Sequence, residues 1–303
     1  MQMLPSSDSP EAPSRGAALR RLAAEGTFAI PGAPIALAAK LIEREGFEAI
    51  YLSGAAFSAG LLGVPDIGIL TLDQLVEQTR LLASAVEIPL VVDADTGFGG
   101  PREVADCVRR LEDAGAAAIQ LEDQRRPKRC GHLPGKEIVE PAEMCEKIAA
   151  ACAARRDPAT VIIGRSDARG VTDLDDCLAR LHAYRGAGAD WLFPEALASR
   201  DEFRRVGREF GPPVNVPLVA NMTEFGVSPL LTLEDLSAAG FTAVLYPVTL
   251  LRLAMKAIEA GLGLIADEGT QEGLLDLMQS REELYDLLGY DPRRPEQHLP
   301  AAQ

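Results

Sequence analysis

Between about residue 27 and residue 265 the chain alternates short, unbroken apolar runs with longer stretches of helical periodicity, and it does so eight times. The runs fall at 28–30, 49–52, 90–92, 118–121, 161–163, 191–193, 218–220 and 243–246. Most are continuously apolar, which suits parallel strands buried on both faces. Parallel neighbours need a crossover connection, usually a helix. Eight such units are the count of a (β/α)₈ TIM-type barrel, whereas open doubly wound sheets usually hold fewer strands. A weak internal repeat marks passages from helix to strand: Glu45-Gly46-Phe47, Ala114-Gly115-Ala116, Ala187-Gly188-Ala189 and Ala239-Gly240-Phe241. Each Gly can take the left-handed conformation that ends a helix. Helix starts are marked as well. Thr71 with Gln74, and Ser199 with Glu202, read as capping boxes. Thr172 and Thr232 are placed as N-caps, with Asp175 and Asp235 favoured by the helix dipole. Pro101 stands where a first-turn proline belongs.

A chain of 303 residues is long enough for one such barrel and no more. The expected division is a disordered, Pro- and Ser-rich tail over 1–16 and a single barrel domain over 17–303. A C-terminal helical extension covers about 266–290, with helices expected at 270–278 and 281–288. They exceed what the barrel needs and are expected to pack on another subunit. No stretch reads as a membrane span or a signal peptide. With 30 basic against 45 acidic residues, a net charge of −15, the chain repels phosphate backbones, which argues against nucleic-acid partners. Five cysteines without a CxxC pair point to reduced thiols and a cytoplasmic location. Cys107, Cys145, Cys152 and Cys177 fall in helical patterns as small apolar residues, whereas Cys130 lies in a polar, Gly-containing loop. His132, His182 and His298 are too scattered for a zinc site.

The polar residues gather where strands end: Ser53-Gly54, Asp93-Ala94-Asp95, Glu122-Asp123, Arg165, Pro194-Glu195, Asn221 and Tyr246-Pro247. In a parallel barrel these ends share one rim, the rim that carries active sites. Asp93 and Asp95 offer hard oxygen ligands suited to Mg²⁺ or Mn²⁺ rather than zinc, with Asp66, Glu122 and Asp123 as further oxygens. The same spacing before Gly97 and Gly99 is also common turn chemistry. In Lys128-Arg129-Cys130-Gly131-His132, cations flank one thiol, which is expected to lower its pKa and fit it for proton exchange. The competing reading is an incidental loop cysteine. Arg165, Arg252 and Arg281 are candidate carboxylate clamps, although surface solvation is the default for any single Arg.

Taken together, these stretches resemble the isocitrate lyase and phosphoenolpyruvate mutase superfamily, and within it the methylisocitrate lyases. The matching motifs are Tyr51-Leu52-Ser53-Gly54, Val92-Asp93-Ala94-Asp95-Thr96-Gly97-Phe98-Gly99, Glu122-Asp123-Gln124 and the Cys130 loop. They continue through Phe193-Pro194-Glu195-Ala196, Ala220-Asn221-Met222-Thr223-Glu224-Phe225-Gly226, Tyr246-Pro247 and Glu268-Gly269-Thr270-Gln271. The resemblance spans about residues 17 to 290, and its Cys-Gly-His loop separates carbon–carbon lyases from the phosphonomutase branch. It implies Mg²⁺, with Mn²⁺ as a substitute, on Asp93 and Asp95. Ser53, Gly54 and Ala55 would bind the α-keto-acid half of a small carboxylic acid substrate. Gly131, His132, Arg165, Glu195, Asn221 and Thr223 would surround the succinate half, with Arg252 and Arg281 as further contacts. Cys130 would be the acid on a closing loop, and Tyr51, as phenolate, the base. Ala55 stands where the family often has Gly, and Gly164-Arg165-Ser166-Asp167 replaces the usual Ala-Arg-Thr-Asp. The implied reaction is the reverse Claisen cleavage of 2-methylisocitrate to pyruvate and succinate, a step of propionate catabolism, by a homotetramer. The alternatives are a 2,3-dimethylmalate-type lyase, an isocitrate lyase (a group whose chains are longer), and a catalytically silent binding barrel.

Overall fold

Every apolar run becomes a strand: β1 (Phe28–Pro31), β2 (Ile50–Leu52), β3 (Leu90–Asp93), β4 (Ala118–Glu122), β5 (Val161–Ser166), β6 (Trp191–Pro194), β7 (Val219–Asn221) and β8 (Ala243–Tyr246). The computed structural model describes residues 13–211 and 213–295. Several strands outlast their apolar run because pairing continues into the polar rim: Asp93 sits opposite Gln120, and Glu122 opposite Arg165. All ladders are parallel, in the arcs β2-β3-β4-β5-β6 and β1-β8-β7. Single bridges, Gly32 with Tyr51 and Leu192 with Leu218, join the two arcs at the seams. The expected eight-strand ring is therefore present, with its ladder thinned at two places.

Side chains alternate across each strand. Phe28, Ile30, Tyr51, Val91, Ile163, Trp191, Phe193 and Leu245 form one apolar cluster inside the ring. Their neighbours Ile50, Leu52, Val92, Ile119, Ile162, Leu192 and Val244 belong to the layer shared with the outer helices. Helix α1 (Arg15–Glu25) sends Leu19 and Leu22 into the inner cluster. Ser14 Oγ caps it by accepting from Ala17 N at 3.2 Å, so order begins inside the stretch expected to be tail. Residues 1–12 lie outside the described residues.

The outer helices are α2 (Ala36–Arg44), α3 (Gly54–Gly60), α4 (Leu72–Ala85), α5 (Pro101–Asp113), α6 (Pro141–Ala154), α7 (Leu174–Gly186), α8 (Arg200–Phe210) and α9 (Leu233–Ala238). The capping boxes Thr71–Gln74 and Thr232–Asp235 form, and Pro101 opens α5. Gly46, Gly115, Gly188 and Gly240 all take positive φ. Two caps differ from expectation. Ser199 accepts from Glu202 N, but the Glu202 carboxylate turns to Ala198 N and to Arg169 instead of closing the box. Asp173, not Thr172, caps α7: its carboxylate accepts from Asp176 N at 2.9 Å, and an ionised acceptor suits the positive helix end better than a hydroxyl.

After β8 the pattern changes. Helix α10 (Thr249–Glu268) runs for 20 residues without one buried side chain. Instead of a full helix at 270–278, Glu272–Leu277 forms a 3₁₀ turn. That segment contains Gly273 and lacks the packing that stabilises a short helix. Helix α11 (Arg281–Leu288) forms as expected and buries Leu287. Beside α10, Pro31, Ile35, Leu37, Leu41, Phe47, Leu250 and Ala254 line an apolar groove against α2. Among the described residues no helix is long and apolar enough to cross a membrane.

Candidate active site

The strand ends enclose a polar cavity lined by Tyr51, Ser53, Ala55, Asp66, Asp93, Glu122, Lys128, Cys130, Gly131, His132, Arg165, Glu195, Asn221 and Thr223. On one wall, Asp93 Oδ1 accepts from Gln120 Nε2 at 3.0 Å and from Asp95 N at 3.2 Å, while Oδ2 accepts from Gly54 N at 3.3 Å. A Cβ added at Gly54 would lie 3.3 Å from both Asp93 Oδ2 and Asp95 Oδ1, so the two carboxylates converge on the space that glycine leaves. Asp95 takes a left-handed φ of 48°, which Asp tolerates better than most residues. Lys128 Nζ lies 2.5 Å from Asp66 and 2.6 Å from Asp95. Burial raises the Asp95 carboxyl to about 6 against the pull of Lys128. Burial opposes the Lys128 charge too, but Asp95, Glu122 and Asp66 outweigh it and hold the ammonium well above its usual range. Burial also pushes Glu122 well above the carboxylate range, and its Oε1 is buried without a hydrogen-bond partner.

Such an orphaned oxygen, beside two converging carboxylates, fits a hard divalent cation. Among the described residues no three His, Cys, Asp or Glu groups form a complete ligand cage. Mg²⁺ suits an incomplete set, because it retains several waters.

The opposite wall is the loop after β4. Gln124 grips its base, with Oε1 accepting from Arg129 N and Nε2 donating to Arg129 O, both at 2.9 Å. Leu133 N donates to Cys130 O at 2.9 Å, closing a tight turn. At Gly131 an added Cβ would come within 2.4 Å of Arg165 Nη2 and 2.7 Å of Glu195 Cγ, so only glycine lets the loop rest on these side chains. His132 Nε2 lies 2.6 Å from Glu195 Oε1, and Nδ1 accepts from Val227 N at 3.0 Å. That pairing assigns the ring proton to Nε2.

The expectation of a cation-activated thiolate is corrected here. Lys128 faces the carboxylates instead of the sulfur, and burial pushes the Cys130 thiol up, against the His132 backbone N–H and the Arg165 charge. Cys130 is therefore a protonated thiol, the form a proton donor requires. The Tyr51 phenolate is corrected likewise. Burial, followed by the Asp93 charge, raises this phenol well above its ordinary range, and its OH donates to Gln120 Oε1 at 2.8 Å.

Arg165 is aimed by Asp167, which accepts from Nε at 2.9 Å and from Nη2 at 3.2 Å, and it lies over the Phe193 ring. Burial opposes its charge, but Asp167, Glu195 and Glu122 hold it well above its usual range. Glu195, although buried, is lowered to about 2, chiefly by Arg165 and His132. Asn221 Nδ2 donates to the Glu195 carboxylate at 3.3 Å, and Asn221 Oδ1 accepts from Thr223 N at 3.1 Å.

The two remaining arginines lie apart from this group. Arg252 sits half-exposed on α10, 3.7 Å from Glu224 and stacked on Phe225. Arg281 opens α11 at a surface hollow with Tyr285 and Tyr290, and that helix packs on α2. Three groups were missed by sequence reasoning. Gln120, buried, connects Tyr51 to Asp93, and its signal was a lone amide inside an apolar strand. Asp167 stood in the Gly164-Arg165-Ser166-Asp167 motif without a role of its own, and Lys136 carried no mark.

The profile of the phosphoenolpyruvate phosphomutase family matches residues 19–266. The chain belongs to this family. Within it, a protein of Aeropyrum pernix named 2-methylisocitrate lyase is 48% identical over 276 residues, covering 91% of this chain and 87% of that protein. The solved structure of 2,3-dimethylmalate lyase superposes with a TM-score of 0.86 at 31% identity, covering 92% of this chain and 93% of that one. A phosphonopyruvate hydrolase solved in complex with oxalate and Mg²⁺ gives 0.82 at 34% identity, covering 91% and 95%. The parallel α/β barrel read from the repeat and the superfamily resemblance read from the motifs are both borne out.

Proposed function

We propose that this chain is a Mg²⁺-dependent carbon–carbon lyase that cleaves 2-methylisocitrate to pyruvate and succinate. The observation that carries the reading is the Cys130 thiol in one cavity with the Asp93 carboxylate and the Arg165 guanidinium, Asp95 converging with Asp93 behind Gly54. Asp93 and Asp95 would hold Mg²⁺, with Mn²⁺ as a substitute, and the bound ion supplies charge stabilisation for the oxygens of the α-keto-acid half. Ser53, Gly54 and Ala55 line that half. As the carbon–carbon bond breaks, its electron pair moves onto the succinate carbon and carboxylate, where Arg165 offers a fixed positive charge. His132, Asn221 and Thr223 orient the same half, with Glu195 holding His132 and Arg165 in place. As the carbonyl of the α-keto-acid half forms, the substrate hydroxyl releases its proton to water at the mouth of the cavity. Cys130 delivers its own proton to the succinate carbon, and the thiolate left behind regains one from water, so the proton count closes. Tyr51 acts as a neutral phenol at the cavity wall. The reading belongs to propionate catabolism in the cytoplasm, where free thiols stay reduced.

The association state is proposed as a homotetramer in which α10 packs on a neighbour. Met255, Ile258, Leu262 and Ile265 form an exposed apolar stripe at helical spacing, beside an apolar groove. Pyruvate release from 2-methylisocitrate, with and without EDTA, tests the activity. Turnover of 2,3-dimethylmalate but not of 2-methylisocitrate moves the assignment to the sister reaction.

A further inference from the structure

We infer that Lys136 is a positioning residue for the Cys130 acid, and that Asp167 orients this lysine and the Arg165 clamp together. The inference rests on the lyase reading above for its kinetic arm alone. The Lys136 ammonium is withdrawn from water, with only 1% of the side chain exposed, and it donates to Gly131 O and to Asp167 Oδ1, the latter at 2.7 Å. Asp167 in turn grips Arg165 through both carboxylate oxygens and takes a further donor from Gln124. Its own backbone N–H is fixed by Asp123 at 2.8 Å, and the other Asp123 oxygen accepts from Ser166 and Tyr184. One buried carboxylate therefore holds the substrate-facing cation and the anchor of the loop.

Lys136 reaches the thiol through a peptide plane. In a trans peptide the C=O and the following N–H point to opposite sides. Gripping Gly131 O fixes the Gly131–His132 peptide inside the turn that Leu133 N closes on Cys130 O, and so fixes the backbone from which the Cys130 side chain projects. With the carbonyl released, the peptide turns and the sulfur loses its fixed direction. Lys136 itself does not line the cavity and meets it only through the Gly131 carbonyl, so it has no direct contact with substrate.

The test compares Lys136→Met and Asp167→Asn with wild type in pyruvate release and in iodoacetamide labelling of Cys130 followed by mass spectrometry. Lys136→Met is expected to lower kcat by about 10²-fold, the size of a misplacement of about 1 Å, with KM little changed. Asp167→Asn is expected to worsen both kcat and KM, because it also releases Arg165. Cys130 labelling is expected to rise about tenfold or more in Lys136→Met, the effect of losing one charge-assisted hydrogen bond from the closed loop. Labelling needs no substrate, so it tests the anchor even if the chain turns over a different acid. Wild-type kcat and labelling in Lys136→Met overturn the inference, as does a change in KM alone. Should that variant fail to fold, Gly170→Ala decides: its methyl would lie 3.0 Å from Lys136 Nζ and displace the ammonium without removing its charge. Unchanged kcat and labelling in Gly170→Ala likewise overturn it.

Discussion

The rim of the barrel and helix α10 depart from an ordinary surface in opposite directions. At the rim, Glu122, Lys128, Arg165, Asp167 and Glu195 are ionisable groups taken out of water; along α10, leucines, isoleucines and Met255 are left in it. The first arrangement is costly unless every charge is paired, and here nearly all are, within the chain. The second has no answer among the described residues. Buried charge therefore marks the site proposed for the small carboxylate and its cation, and exposed apolar surface the contact proposed with another copy of the chain.

The comparison breaks most decisively at Cys130. Cys130→Ser is expected to lower pyruvate release by about 10²–10⁴-fold, the usual contribution of a positioned acid, with the melting temperature nearly unchanged. Cys107, Cys145, Cys152 and Cys177 to Ser serve as controls that retain chemistry; near-wild-type turnover in Cys130→Ser sinks the thiol as proton donor. Next in size is Asp93→Asn, expected to cost on the order of 10²–10³-fold, as loss of a preorganised charge interaction does. Excess EDTA should do likewise to the wild type, and full activity under chelation removes the metal from the proposal.

At the other region, Ile258→Asp with Leu262→Asp should shift the light-scattering mass toward monomer, weakening association by at least about 10²-fold through two lost apolar contacts. A monomeric wild type at working concentration rules the α10 interface out. The smallest effect concerns pH. Asp95 sits at about 6, above its ordinary 3.8, so the folded chain keeps a proton there that the unfolded chain has already released. Stability of the metal-free protein should therefore fall as pH rises from about 4 to about 6, and Asp95→Asn should flatten that part of a thermal-melt series. An equal slope in wild type and variant shows that another group is responsible.

How much of this could be read in advance depends on the range of the interaction. Strands, glycine stops and the Thr71 and Thr232 caps are local, and they were placed to within a few residues because apolar runs and capping side chains act on their own neighbours. Asp173 displaced Thr172 by one position because charge competes with hydroxyl at a helix end. The thiol was misjudged for a longer-range reason. Lys128 is two residues from Cys130 in sequence, yet in space it is claimed by Asp66 and Asp95, from elements the loop does not adjoin in the chain. Arg281 stands apart from the cavity on a single copy, because sequence does not tell where a terminal helix lands. Lys136 and Asp167 matter only through a peptide plane and a shared carboxylate, and residue spacing reveals neither.

The plug formed by α1 has a reach beyond its own end of the barrel. Leu19 and Leu22 belong to the same inner cluster as Tyr51, Phe193 and Leu245, all of which line or underlie the cavity. Close-packed interiors compress little and pass strain along. The inner cluster is thus a stiff column standing on α1, and the floor beneath the substrate is as steady as the helix at its foot.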